Sequence, residues 1–135
     1  MHFLNTAFMF ILPCIFGGLG AVCRCAMTKG ITRSYESNIP VATLWINCIA
    51  SFALGVASNL FLALHAILGM NLVFIMVVGF LGGFSTFSTA IFEGVYLVKN
   101  RRFKDGIFLI FAELILPFLA ATLGYVGTSF IVFLF

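Results

Sequence analysis

The sequence predicts an all-α membrane protein built from four transmembrane helices, and three observations lead there. Of the 135 residues, 63% are hydrophobic and only 8% are charged, with a mean hydropathy of +1.22, outside the usual mix for a soluble globular domain. Apolar runs near residues 3–27, 40–64, 70–98 and 106–135 are each long enough to cross a hydrocarbon core, which takes roughly 20 residues of helix. The connections between them, near 28–39, 65–70 and 99–105, are short, which makes sequence neighbours antiparallel packing partners. A single transmembrane domain over residues 1–135 is expected, with no room for a soluble catalytic domain.

Charge placement orients the spans. All seven basic residues fall on one side of the predicted membrane: Arg24, Lys29 and Arg33 around the first connection, and Lys99, Arg101, Arg102 and Lys104 around the third. By the positive-inside rule both connections are cytoplasmic, which puts the two termini and the second connection outside. The expected location is therefore the cell membrane, as a multi-pass protein in contact with lipid. The net charge of +3 is not spread like a nucleic-acid patch, so no nucleic-acid partner is expected. A cleavable signal peptide would need a basic residue ahead of the first apolar run, and "MHFLN" has none.

The first span carries "GGLGAVCR", where Gly17 and Ala21 have the small-xxx-small spacing that lets helices approach closely in lipid. Arg24 follows near the cytoplasmic boundary as a structural anchor, able to snorkel or to pair with a carboxylate. In the second span Thr43, Asn47, Ser51, Gly55 and Asn59 recur every four residues and make one polar, small face. Interhelical hydrogen bonding accounts for such a face. Asn47 has a second reading, because a deeply placed amide must satisfy two donors, and its NH2 can meet a dehydrated anion.

The third span contains "GFLGGFSTFSTAIFEG". Gly82-Gly83 weakens the helix at about mid-membrane, and Ser85, Thr86, Ser88 and Thr89 follow at once. A break at that depth frees backbone groups that lipid cannot satisfy, so it is tolerated only where it is buried in protein or lines a site. Freed carbonyls suit a small cation, and the positive end of the following half-helix suits an anion. The alternative is an ordinary helix with glycines for close packing and hydroxyls bonded to their own turn. Glu93 lies nearer the cytoplasmic end, where a salt bridge to Arg24 or Lys99 would make it a second structural anchor.

The fourth span holds Glu113 and the helix breaker Pro117 at i and i+4, followed by a small stripe of Ala120, Gly124 and Thr128. An acidic residue at the centre of a membrane helix costs roughly 2.5–3.5 kcal/mol by insertion scales, so Glu113 is a pathway group or a paired one. Enzyme chemistry has no candidate. The histidines, His2 and His65, sit at a terminus and a connection, and Cys14, Cys23, Cys25 and Cys48 lack metal or redox spacing.

Three of these stretches in order, "GGLGAVCR", "TLWINCIASFALG" and "GFLGGFSTFST", resemble the small bacterial fluoride channels of the Fluc/CrcB family. The resemblance implies a four-helix subunit that pairs antiparallel with a second subunit, passes fluoride passively out of the cell and holds one structural, non-transported sodium ion at the dimer centre. Carried over by position, the backbone carbonyls of Gly82 and Ser85 would hold the sodium. Asn47 would hydrogen-bond fluoride, Phe87 would offer its positive ring edge, and Ser88 and Thr89 would be nearby donors.

The chain departs from the family in three respects. Ala90 stands where the family has the second phenylalanine of its aromatic box. Glu113 and Pro117 stand where the family has a ladder of fourth-helix hydroxyls, and a fixed charge at Glu113 opposes fluoride unless it is protonated or paired. Ala42 and Ala50 stand where the second-span pattern shows glycine. The one-sided charge adds a further expectation: a subunit of fixed orientation pairs with an oppositely oriented homologue rather than with itself. Two other readings remain at this stage, a proton-coupled small multidrug-type transporter built on Glu113, and a non-conducting partner subunit of a heterodimeric channel.

Overall fold

The computed structural model describes residues 2–34, 39–68 and 71–134, with side chains described over 10–34, 39–63 and 73–134. Five helices follow one another: α1 (His2–Ser34), α2 (Ala42–Leu68), α3 (Asn71–Phe84), α4 (Phe87–Lys99) and α5 (Phe103–Leu134). Among the described residues there is no strand. They supply four stretches long and apolar enough to cross a membrane, Phe10–Ser34, Ala42–Ala63, Val73–Lys99 and Phe103–Leu134, the third containing both α3 and α4. Of the expected connections at 28–39 and 65–70, residues 35–38 and 69–70 lie outside the described residues.

Helix α1 runs to Ser34, past the expected end at 27, because its last turns are basic. Arg33 in the final turn complements the negative end of the helix dipole, and long cationic stems extend an apolar helix toward water. Pro117 does not break α5, which continues through it to Leu134. A proline there removes the N–H that would bond the Glu113 carbonyl and crowds that carbonyl with its ring, yet the helix is kept on both sides. At the other end α4 closes with Asn100 and Arg101. Arg101 has φ 61, in the left-handed region, and the N–H of Arg102 returns to the Leu97 carbonyl at 3.0 Å. The chain is then held for re-entry by an ion pair from Arg102 to Asp105 at 2.7 Å.

Packing follows sequence adjacency only in part: α4 on α5 and α2 on α3 are neighbours in contact, yet the largest interfaces join helices that are not neighbours. The most extensive contacts are α2 with α5 and α1 with α3, with α4 on α5 next, whereas the neighbours α1 and α2 meet sparingly. Short connections restrict which elements lie close, but side-chain volume decides which faces touch, and here glycine decides. A Cβ on Gly83 would overlap the backbone of Gly17, and one on Gly79 would come within 2.7 Å of the Pro13 Cα, so α1 and α3 meet backbone to backbone. Gly20 adds a further close approach on α1, since a Cβ there would overlap the backbone of Phe80. Gly55 against Ala121, and Gly124 against Phe52, bring α2 and α5 together in the same way.

A small interior results. Ile46, Ala50 and Phe84 cluster with Met27, Ile31 and Phe80 around them, while Phe10, Trp45, Phe108, Phe118 and Phe133 point outward. Outward aromatics on every span are what a lipid-facing surface requires.

Candidate functional site

Helix α3 runs through Gly82 and Gly83 and ends at Phe84, so the interruption falls at Ser85 and Thr86, later than the glycine pair suggests. The two glycines have different reasons. Gly83 is needed for the approach to Gly17, whereas a Cβ on Gly82 would meet open space. Helix geometry persists to Ser85, whose N–H bonds the Leu81 carbonyl at 2.9 Å. At Thr86 the backbone turns extended, with φ −154 and ψ 117, and Thr86 becomes the N-cap of α4. Its Oγ1 accepts from the Thr89 N–H at 3.4 Å and lies 3.2 Å from both the Ser88 Oγ and the Thr89 Oγ1. That is the expected behaviour of threonine at a helix start, where it occupies one of the donors left without a helical partner.

The polar face of α2 points inward and meets this junction. Thr43, Asn47 and Asn59 are all buried, and Asn47 reaches across to Thr86. Its Oδ1 accepts from the Thr86 N–H at 2.8 Å, and its Nδ2 donates to the Thr86 carbonyl at 3.0 Å. The second Nδ2 hydrogen goes to Glu113 Oε2 on α5, also at 3.0 Å. One amide thus ties α2, the α3–α4 junction and α5 together, with every donor used inside the subunit. Glu113 is 3% exposed, and its Oε1 is buried with no hydrogen-bond partner.

One turn earlier on α2, Thr43 donates to Glu93 Oε1 at 2.8 Å. This corrects the expected salt bridge of Glu93 to Arg24 or Lys99: a buried hydroxyl is the nearer partner, and Glu93 Oε2 is left unpartnered. Arg24 is partly buried and lines a cleft of about 380 Å³ with Thr28, Thr43, Ile46, Thr86 and Thr89. Its Nε has no partner, while its backbone carbonyl accepts from Thr28 Oγ1.

The structure thus brings Asn47, Ser88, Thr89 and Glu113 together around Thr86, with Arg24 and Glu93 beside them. Phe87 is 58% exposed, and Gly82 and Ser88 are also exposed on this single subunit. Ala90 goes the other way, fully buried in the subunit interior. Sequence reasoning had no role for Thr86 beyond one of four hydroxyls, although a threonine immediately before an apolar helical run is an N-cap signal. Thr43 was legible only as part of a polar stripe.

Two carbonyls at the junction lose their usual partners. The Thr86 N–H that would continue the helix to the Gly82 carbonyl is taken by Asn47, and the Thr89 N–H that would bond the Ser85 carbonyl is taken by the Thr86 side chain. These oxygens suit a hard cation. Among the described residues no cluster of three or more His, Cys, Asp or Glu is placed to hold a metal ion.

Comparison with known proteins adds a lineage to this geometry. The chain matches the family described as CrcB-like protein, Camphor Resistance (CrcB), over residues 11–125. It is 38% identical over 120 residues to a Bifidobacterium longum protein named fluoride-specific ion channel FluC 3, covering 89% of this chain and 98% of the relative. A second protein of that organism, fluoride-specific ion channel FluC 1, is 42% identical over 102 residues, 70% of this chain and 76% of the other. The fluoride-specific ion channel FluC of Thermus thermophilus is 31% identical over 116 residues, 86% and 90% of the two chains. With its helices, its motifs and these relatives in agreement over most of its length, the chain belongs to the CrcB family.

Proposed function

We propose that this chain is a subunit of a fluoride-specific ion channel that lets fluoride leave the cell passively. The observation that carries the reading is the α3–α4 junction: Thr86 caps a helix that starts inside a membrane span, with Asn47, Ser88 and Thr89 gathered at that start. A third helix broken at mid-membrane directs the positive end of α4 at an anion, and the first N–H groups of α4 have no helical acceptor. Fluoride is small and strongly hydrated, so a path must replace its water with donors. The names of the relatives support fluoride as the ion. An inside-negative potential drives an anion outward, at about 2.3 kcal/mol per charge for each 100 mV, with no coupled step.

Fluoride binding at Asn47 requires an Nδ2 hydrogen, and both are engaged. The bond to Glu113 joins two side chains and is the one that opens without unfolding the junction; the bond to the Thr86 carbonyl holds the backbone. Phe87 then presents its ring edge and Ser88 its hydroxyl on the exposed face. The carbonyls of Gly82 and Ser85 would hold the structural sodium. That ion supplies fixed positive charge and a tie between subunits, and it is not transported. Exposure of Gly82, Phe87 and Ser88 on one subunit supports a dimer interface there. The one-sided basic residues support an antiparallel partner that is a separately encoded homologue, with both termini of this chain outside the cell.

A second reading is favoured by one observation. Ala90 is a buried alanine where the family has an aromatic, so the pore on this side can be silent while the partner's conducts. The proton-coupled exporter accounts for Glu113 but leaves the junction without a role. Electrogenic fluoride efflux from liposomes containing the purified chain tests the proposal directly. Flux from this chain alone supports a conducting subunit, and assembly with a homologue but no flux alone supports the silent one. Drug efflux coupled to a proton gradient would replace both.

A further inference from the structure

Glu113 is the feature that the junction does not explain. Its carboxyl group is 97% buried by residue exposure, it spends one oxygen on Asn47, and the other oxygen has no partner. Among the described residues no cation pairs with it. Of the helices packed on α5, α2 brings Cys48 and α4 brings Glu93 into its electrostatic field, and neither carries positive charge. Asp105 on α5 itself is occupied by Arg102, about 12 Å along the helix. Arg24 lines the cleft beside Thr43 and Thr86, but α1 makes no contact with α5 among the described residues. A buried carboxylate with no cation is among the costliest groups a membrane protein can hold, whereas the neutral acid is not.

Resting on the channel reading above, we propose that Glu113 is held as the neutral acid and donates its O–H to fluoride beside Asn47, so that ionising it slows efflux. The hydrogen-bond pattern assigns the atoms. Asn47 Nδ2 donates to Oε2, which makes Oε2 the carbonyl-type oxygen and Oε1 the hydroxyl. Oε1 is the oxygen without an acceptor, so its proton is an unused donor next to an amide. Fluoride arriving there accepts from Oε1–H, and from the Nδ2–H that leaves Oε2. Two hydrogen bonds to the anion replace one internal bond, and the proton stays on Oε1. When the group ionises, the donor is lost and a negative charge stands in the path of an anion. Proton concentration then regulates efflux through one of the residues in which this chain departs from its family's pattern.

The test uses the full chain reconstituted in liposomes, read by infrared spectroscopy and by fluoride efflux. At neutral pH the wild-type protein shows a protonated-carboxyl C=O band that is absent from Glu113→Gln and kept in Glu93→Gln. Added fluoride shifts the band and added chloride does not. Efflux falls by about tenfold, the worth of one hydrogen bond to a charged acceptor, as rising pH removes that band. Glu113→Gln conducts more slowly, since an amide is the weaker donor, and its efflux does not change with pH. The proposal is overturned by a wild-type protein with no such band at neutral pH, by a band blind to fluoride, or by a Glu113→Gln variant that keeps the wild-type pH profile. If Glu113→Gln fails to fold, the band in Glu93→Gln still assigns the proton. A fluoride-sensitive band in a protein that passes no fluoride keeps the donor and overturns only the channel reading.

Discussion

The side-chain amide of Asn47 lies along the backbone of Thr86, accepting its N–H at 2.8 Å and donating to its carbonyl at 3.0 Å, across 39 residues of sequence. Such a two-bond pairing substitutes for the helical bonds that Thr86 gives up. Asn47→Ala removes both bonds and the one to Glu113. With each buried group left unpaired costing about 1–3 kcal/mol, the variant loses at least about 2 kcal/mol of stability. Its fluoride efflux is abolished. Thermal denaturation in detergent, together with liposome flux, measures both effects.

The glycines of the third span separate on substitution. Gly83→Ala drives a methyl group into the Gly17 backbone and costs about 1–3 kcal/mol or more, because backbone cannot move aside as a side chain does. Gly82→Ala meets open space within the subunit and changes subunit stability by no more than about 0.5 kcal/mol. Thermal unfolding of the two variants in parallel distinguishes them.

Restoring the family's aromatic residue is harmful in this chain. Ala90 is fully buried in the subunit, so Ala90→Phe overfills the space and destabilises the fold by about 1–3 kcal/mol rather than rebuilding a pore contact. A stability gain, or faster fluoride flux, would show that the neighbouring side chains make room.

Among the described residues Thr43 is the hydrogen-bond partner of Glu93, and it is 97% buried. Thr43→Val keeps the shape and removes the donor, leaving both Glu93 oxygens unsatisfied at a cost of about 1–3 kcal/mol. Thr43→Ser keeps the donor and recovers most of the loss. Failure of serine to do so would point to methyl packing rather than to the hydroxyl.

Withdrawing sodium tests the carbonyls of Gly82 and Ser85. On the proposed reading, replacing sodium with a bulky organic cation on both faces of the liposome stops fluoride efflux and promotes dissociation of the proposed dimer, read by cross-linking. Efflux that persists without sodium would leave those carbonyls with no metal role.

The four spans were legible because hydropathy is additive along a chain and needs no partner. The inward polar face of α2 was legible too, since Thr43, Asn47, Ser51, Gly55 and Asn59 repeat every four residues and all but the half-buried Ser51 prove buried. What was not legible depends on two chain segments at once. Gly82 and Gly83 look alike in sequence, and only Gly17 on another helix separates their roles. Attraction between charges suggested Arg24 or Lys99 for Glu93, yet burial favours the nearest hydroxyl, and Thr43 is nearer. Asn47 was recognised as demanding partners, but nothing in its own span names Thr86. The start of α4 was marked by Thr86 itself and misassigned to the glycines, because helix-weakening residues draw attention before a cap does.

The crossing of α1 and α3 has a mechanical side. Where Gly17 and Gly83 touch, no side chain stands between the two backbones, so no rotamer change can absorb a displacement of one helix against the other. The two helices behave as one stiff beam. Joined to that beam is α4, through Ser85 and Thr86 where the helical bonds are interrupted, and the amide of Asn47 steadies that joint.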